Sequence, residues 1–362
     1  MAQGMSHTQS FIKGQAMTDT NANRAENPTE IEITQDKVDI ARESISSEGD
    51  SVPPQPTKKR LRRSHAFLAL AMLIIYLLGL GSGYGLWGLP TPEEKAVHEQ
   101  EAEMTNIMAQ VNPANGYTVA ARFGDMGPKM AAAGVFDVSE FEQIYQQANQ
   151  PLTAQQLDTL KQGSDNPVVF NSQNAYFLLN YFWAVGLSNK NSILDSGPIQ
   201  EYSKGKVENF ASTGGWSLAK KPLAEIYSKL PLIILTAEQQ KNLEEAAKAI
   251  YRPCCDNPTH FPDCNHGMAM LGLMELMASQ NATIEQMLDA AKHANAYWYP
   301  TQTVEQAIFF KNTTGKSYQD VDARLLLGPQ YSSGSGFQAV HQYLAQNELL
   351  PQAPKSGGSC GV

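Results

Sequence analysis

The chain has 362 residues, 42% of them hydrophobic, enough to bury a sizeable core in one main domain with appendages. Its formal net charge of −9 divides into −5 over residues 1–57, +5 over residues 58–63 and −9 beyond Leu89. An acidic main domain with no basic stripe argues against nucleic acid as a partner.

Residues 1–57 are rich in Thr, Asn, Glu, Ser, Pro and Gln, with Phe11 as their one aromatic. Such a stretch cannot bury enough apolar surface to offset the entropy of ordering, so a disordered cytoplasmic tail is expected. A basic flanking segment follows at 58–65, containing Lys58, Lys59, Arg60, Arg62 and Arg63. Ala66–Leu89 then carries no charge. That run is long enough for a single transmembrane helix, and the basic cluster favours the cytoplasmic side. The chain therefore reads as a single-pass cell-membrane protein. Its N-terminus is cytoplasmic and residues 90–362 are extracytoplasmic. The long tail in front, and the absence of a small-residue cleavage pattern behind, suit a signal anchor better than a cleaved signal peptide. Gly79, Gly81, Gly83 and Gly85 form two overlapping pairs spaced for helix–helix packing, a route to a homo-oligomer. Glycine is also common in membrane helices without that role.

Residues 90–113 read as a polar helical stalk with a thin apolar stripe of Val97, Met104, Met108 and Val111. The extracytoplasmic domain, 114–352, is predicted to be all-α or nearly so. Capping-box patterns at Ser139, Thr153, Thr236 and Thr283 open helices over about 138–148, 153–162, 236–252 and 283–297. Asn174–Leu187 is apolar nearly all round, as expected of a central buried helix. Further helices are expected around 199–210, 221–229, 301–312 and 336–347. Only Pro167–Phe170 and Leu230–Leu235 look like strands. Residues 353–362 form a Gly/Ser tether carrying Cys360.

The chemistry concentrates in Pro253–Ala278, which holds three of the four cysteines and two of the seven histidines. A proline-rich loop with Cys254 and Cys255 leads into a helix that Asp263 or Asn265 can cap. Cys264 stands at the start of that helix. His266, Met270, Met274 and Met277 share one of its faces. Thiolate, imidazole and thioether are ligands for soft or borderline metals, so Cu(I) or Zn(II) is the implied cofactor. Cys254, Cys255, Cys264 and His266 make the ligand set. Cys360 is an auxiliary thiol and Met270 an extension, with His260 and Asp263 in reserve. A methionine stripe at helical spacing also serves as plain core.

Two other readings use the same residues. The cysteines can be structural disulfides, with a Cys254–Cys255 bond disfavoured by geometry. Alternatively, Cys264 can act in thiol–disulfide exchange, its thiolate favoured by the helix N-terminus. No C-x-x-C, C-x-x-C-H or paired-carboxylate signature accompanies it. A metal-binding or metal-handling protein is therefore expected rather than an enzyme. An envelope-protein partner for its acidic helical surface is a further expectation. The Tyr331–Gly336 loop reads as a helix cap before it reads as an anion site.

Overall fold

The structure, a computed structural model, describes residues 61–87 and 90–351, and within the first helix the side chains of residues 67–80. The expected disordered tail, Lys58, Lys59 and Arg60 of the basic segment, and the tether with Cys360 lie outside the described residues. Contacts divide the chain into two units, residues 1–80 and 81–362.

Helix α1 (Leu61–Trp87) covers most of the uncharged run. Its described apolar side chains stand open, Phe67 at 74% and Ile75 at 68% exposure. Among the described residues, no helix is long and apolar enough to cross a membrane.

The second unit is mainly helical. Helix α2 (Pro92–Val111) opens with a capping box at Thr91. It is more than a stalk: Val111 is fully buried, and Met104 and Ile107 pack on a small apolar cluster built from Val304, Ile308, Phe310 and Leu344. Val97 and Met108 of the expected stripe remain over half exposed.

The domain is nearly all-α, as expected, and the strand expected at 167–170 is part of one small sheet. Strands β1 (Tyr117–Gly124) and β2 (Ser164–Phe170) form a two-stranded antiparallel sheet, with Tyr117 opposite Phe170 and Arg122 opposite Pro167. Val119, Ala121 and Phe123 alternate inward from β1, a period-two pattern in too short a run to stand out. Leu230–Leu235 is not a strand; Leu230 makes only an isolated bridge to Asn189.

Between and after the strands come α3 (Met126–Ala133), α4 (Val138–Gln147), α5 (Ala154–Lys161), α6 (Ala175–Ser188), α7 (Ala237–Ala249), α8 (Asn265–Ser279), α9 (Ile284–Trp298), α10 (Pro300–Thr314) and α11 (Gly334–Gln346). The capping boxes at Thr153, Thr236 and Thr283 are all formed. The Ser139 box is not. Asp137 caps α4 instead, its carboxylate accepting from the Ser139 and Glu140 N–H groups. The helix expected over 199–210 breaks after Ser203, where Lys204 and Gly205 both take positive φ. That expected over 221–229 is a single turn, Leu223–Ile226.

The centre of the domain is the pair α6 and α8. Gly186 and Gly272 face each other across it, and a Cβ on either would collide with the other helix's backbone. The close crossing places α8, with the loop before it, against the middle of the core. Met270, Met274 and Met277 are fully buried in that core.

Candidate metal and thiol centre

The loop 253–264 is held by hydrogen bonds on two sides. Thr259 N–H donates to the Ile250 carbonyl at 2.8 Å and His260 N–H to that of Ala247 at 3.0 Å, tying the loop to the end of α7. On its other side, Gly334 N–H donates to the Cys255 carbonyl at 2.9 Å, and Ser335 N–H to the Asp256 carboxylate at 2.7 Å. The N-terminus of α11, the weak anion site of the sequence, therefore already holds an anion, the chain's own Asp256.

These ties fold the loop so that three sulfurs converge. Cys254 Sγ lies 3.4 Å from Cys264 Sγ and 3.7 Å from Cys255 Sγ. The three ligating atoms lie within 4.8 Å of one another, and all three cysteines are free thiols. Asp263 and Asn265 were the expected caps of α8, but Cys264 takes that position and its sulfur accepts the Gly267 N–H at 3.3 Å. The reason is competition. The Asp263 carboxylate is drawn away to Arg252, at 2.5 Å, and to the Asn257 amide, at 2.8 Å.

Arg252 is the residue that sequence reasoning missed. Only 1% exposed, it lies beneath the thiols. Its Nε donates to Cys264 Sγ at 3.1 Å, its Nη1 to the Asn257 carbonyl at 2.9 Å and its Nη2 to Asp263. A Cβ at Gly267 would collide with the guanidinium, so the glycine opens the first turn of α8 to it. Tyr299, at the end of α9, completes the surround; its hydroxyl donates to Cys254 Sγ at 3.0 Å. The only signal for Arg252 in the sequence is its place beside Pro253 and Cys254. Tyr299 has none, since it lies 45 residues from Cys254.

The electrostatics separate the thiols. Hydrogen bonding from Cys254 and Cys255, joined by the Arg252 guanidinium, holds the Cys264 thiol well below the usual thiol range despite its burial. Hydrogen bonds to Cys254 and Cys264, with burial, push Cys255 up. Cys254 is also raised; its bond with Cys255 pulls it down, and its bond with Cys264 and its burial outweigh that. Burial works against the charge on Arg252, but the three cysteine sulfurs outweigh it and the guanidinium stays charged. The centre thus favours the anionic form at Cys264 over Cys254 and Cys255, with a buried cation beneath.

The remaining predicted ligands are placed differently. His266 is held neutral, near 4, by burial. Its ring packs on Tyr299 at 4.6 Å and its Nδ1 pairs with Asn265 Oδ1 at 3.0 Å. It is not in the group of mutually close ligating atoms, and neither are His260 and Asp263. Met270 is in the main core, and Cys360 lies outside the described residues. His293 stacks on Tyr117 at 3.9 Å and His341 pairs with Glu305 at 2.8 Å. Comparison with protein-family models, curated proteins and solved structures finds no match for this chain.

Proposed function

We propose that the protein binds and hands on a soft or borderline metal ion, Cu(I) or Zn(II), at Cys254, Cys255 and Cys264, and that α1 anchors it to a membrane. The observation that carries the metal reading is the convergence of three free thiols at separations of 3.4 and 3.7 Å. Zinc bonded to sulfur at about 2.3 Å in tetrahedral geometry spaces its thiolates about 3.8 Å apart, so the sulfurs stand close to the edge of such a polyhedron. Charge agrees. Three thiolates around a divalent ion leave one net negative charge, and the Arg252 guanidinium lies against it. With three sulfurs supplied, a fourth position is open to an incoming ligand, which suits a site that passes its ion on better than a closed structural site. When bound, the ion draws off the thiol protons. The chain's own part is to favour the thiolate at Cys264 and hold the other two sulfurs in reach.

The full chain, reduced and freed of metal, is expected to take up one ion per chain in a titration followed by metal analysis. Cys264→Ser is expected to abolish stoichiometric uptake while leaving the helix content, by circular dichroism, largely intact. Uptake by Cys264→Ser equal to that of the parent chain, or none by the parent, overturns the reading.

A further inference from the structure

The same thiols are arranged for a second chemistry that needs no metal. We propose that Cys254 and Cys264 form a reversible dithiol–disulfide couple that exchanges with external disulfides. Cys254 meets the external molecule, Cys264 closes the bond and Cys255 stays a free thiol.

The geometry selects this pair. Cys254 is the exposed member of the cluster, and its sulfur is 3.4 Å from that of Cys264. Closing to a disulfide at about 2.05 Å needs a movement of about 1.4 Å, within the reach of side-chain rotation. The Cys254–Cys255 alternative is disfavoured by the backbone. Adjacent Cα atoms stand about 3.8 Å apart, less than the roughly 4.4–6.8 Å that a disulfide spans. The Cys255 carbonyl is also pinned to Gly334 and its sulfur lies 3.5 Å from Asp263.

The donors divide the two roles. Cys254 Sγ receives a single hydroxyl, from Tyr299, and keeps its exposed side. Cys264 Sγ receives the Arg252 Nε–H and the Gly267 N–H, as a sulfur does that must carry negative charge as attacking or leaving group. The exchange balances as follows. The Cys254 sulfur, giving up its proton, attacks one sulfur of an external disulfide; that S–S bond breaks and the first external thiolate leaves and is protonated. Cys264, giving up its own proton, then attacks Cys254 Sγ, forming the internal bond and releasing the second external thiolate, which takes up that proton. Two protein thiols are oxidised by two electrons and one disulfide is reduced to two thiols. Because Arg252 and the helix N-terminus stabilise the reduced form, the internal disulfide is readily reduced again. Where a metal is bound, closing this bond removes two of its three sulfurs and releases it. That last step rests on the metal reading; the couple itself does not.

The test uses the full chain in detergent with a chelator, equilibrated across ratios of reduced to oxidised glutathione, alkylated, cleaved and mapped by mass spectrometry. A Cys254–Cys264 linked peptide pair is expected, fully reversed by reduced glutathione. It should persist in Cys255→Ser and be absent from Cys254→Ser and Cys264→Ser. Arg252→Lys, which keeps the charge but loses the fork, is expected to move the midpoint roughly tenfold toward the disulfide. A bond through Cys255 or Cys360, a glutathione adduct on Cys254 that never closes, or a bond that reduced glutathione does not open overturns the couple. A chain that forms this bond yet binds no ion loses the metal reading and keeps this one.

Discussion

Arg252 shows how far one side chain can organise a site. An unpaired buried guanidinium would be strongly unfavourable, and here its donors meet a carboxylate, a carbonyl and the Cys264 sulfur. His293 has the opposite history. Burial, only partly offset by Asp289, holds it neutral with its pKa at about 4, and its Nδ1 has no hydrogen-bond partner. In the unfolded chain the same imidazole titrates near about 6.5. Between these values the unfolded state binds more protons, so this residue's contribution to stability is complete above about pH 6.5 and falls as the pH drops toward 4. The loss from this residue is about 3 kcal/mol, and below pH 4 it no longer grows. His293→Phe keeps the stack on Tyr117 and is expected to remove this residue's share of that slope in denaturant titrations run from pH 7 to 4, leaving the share of the likewise buried His266; an unchanged slope would show that His293 takes up no proton there.

Three of the four helix starts read from capping partners three residues apart are formed; at Ser139 the cap is Asp137 instead. Thr153, Thr236 and Thr283 form their boxes because the Gln three positions on reaches back without help from the fold. Caps that compete with distant partners were not readable in advance. Asp263 leaves the α8 terminus for Arg252, and a thiol takes its place. The α6–α8 crossing is likewise non-local. Both helices read as apolar, but only their contact explains Gly186 and Gly272. Gly272→Ala is expected to cost about 3 kcal/mol by overpacking, measured as a drop in the urea midpoint, and to weaken the thiol centre with it because α8 carries Cys264. A variant as stable as the parent would show that the helices can separate without loss.

In the whole molecule, the exposed apolar side chains of α1 call for a cover that water does not supply. The anchoring proposal makes a direct prediction. The full chain should stay with membranes through alkaline carbonate extraction, and a chain starting at residue 90 should be recovered in the soluble fraction with an unchanged melting temperature. Release of the full chain by carbonate would remove the membrane reading and leave the thiol centre as it is.

The sequence by itself determined the helical class, the positions of most long helices, the buried face of α6 and the loop in which the chemistry lies. Those features follow from periodicity, caps and composition, which act over a few residues. It also marked Cys254, Cys255 and Cys264 as one group, since they are ten residues apart or fewer. Only the tertiary structure decided that Arg252 sits beneath them, that Tyr299 closes one side, that Cys264 caps the helix and that the three methionines of α8 are core. These depend on how the loop folds back on itself and packs against the rest of the domain, where burial turns an ordinary arginine into a counter-ion and a stripe of candidate ligands into packing.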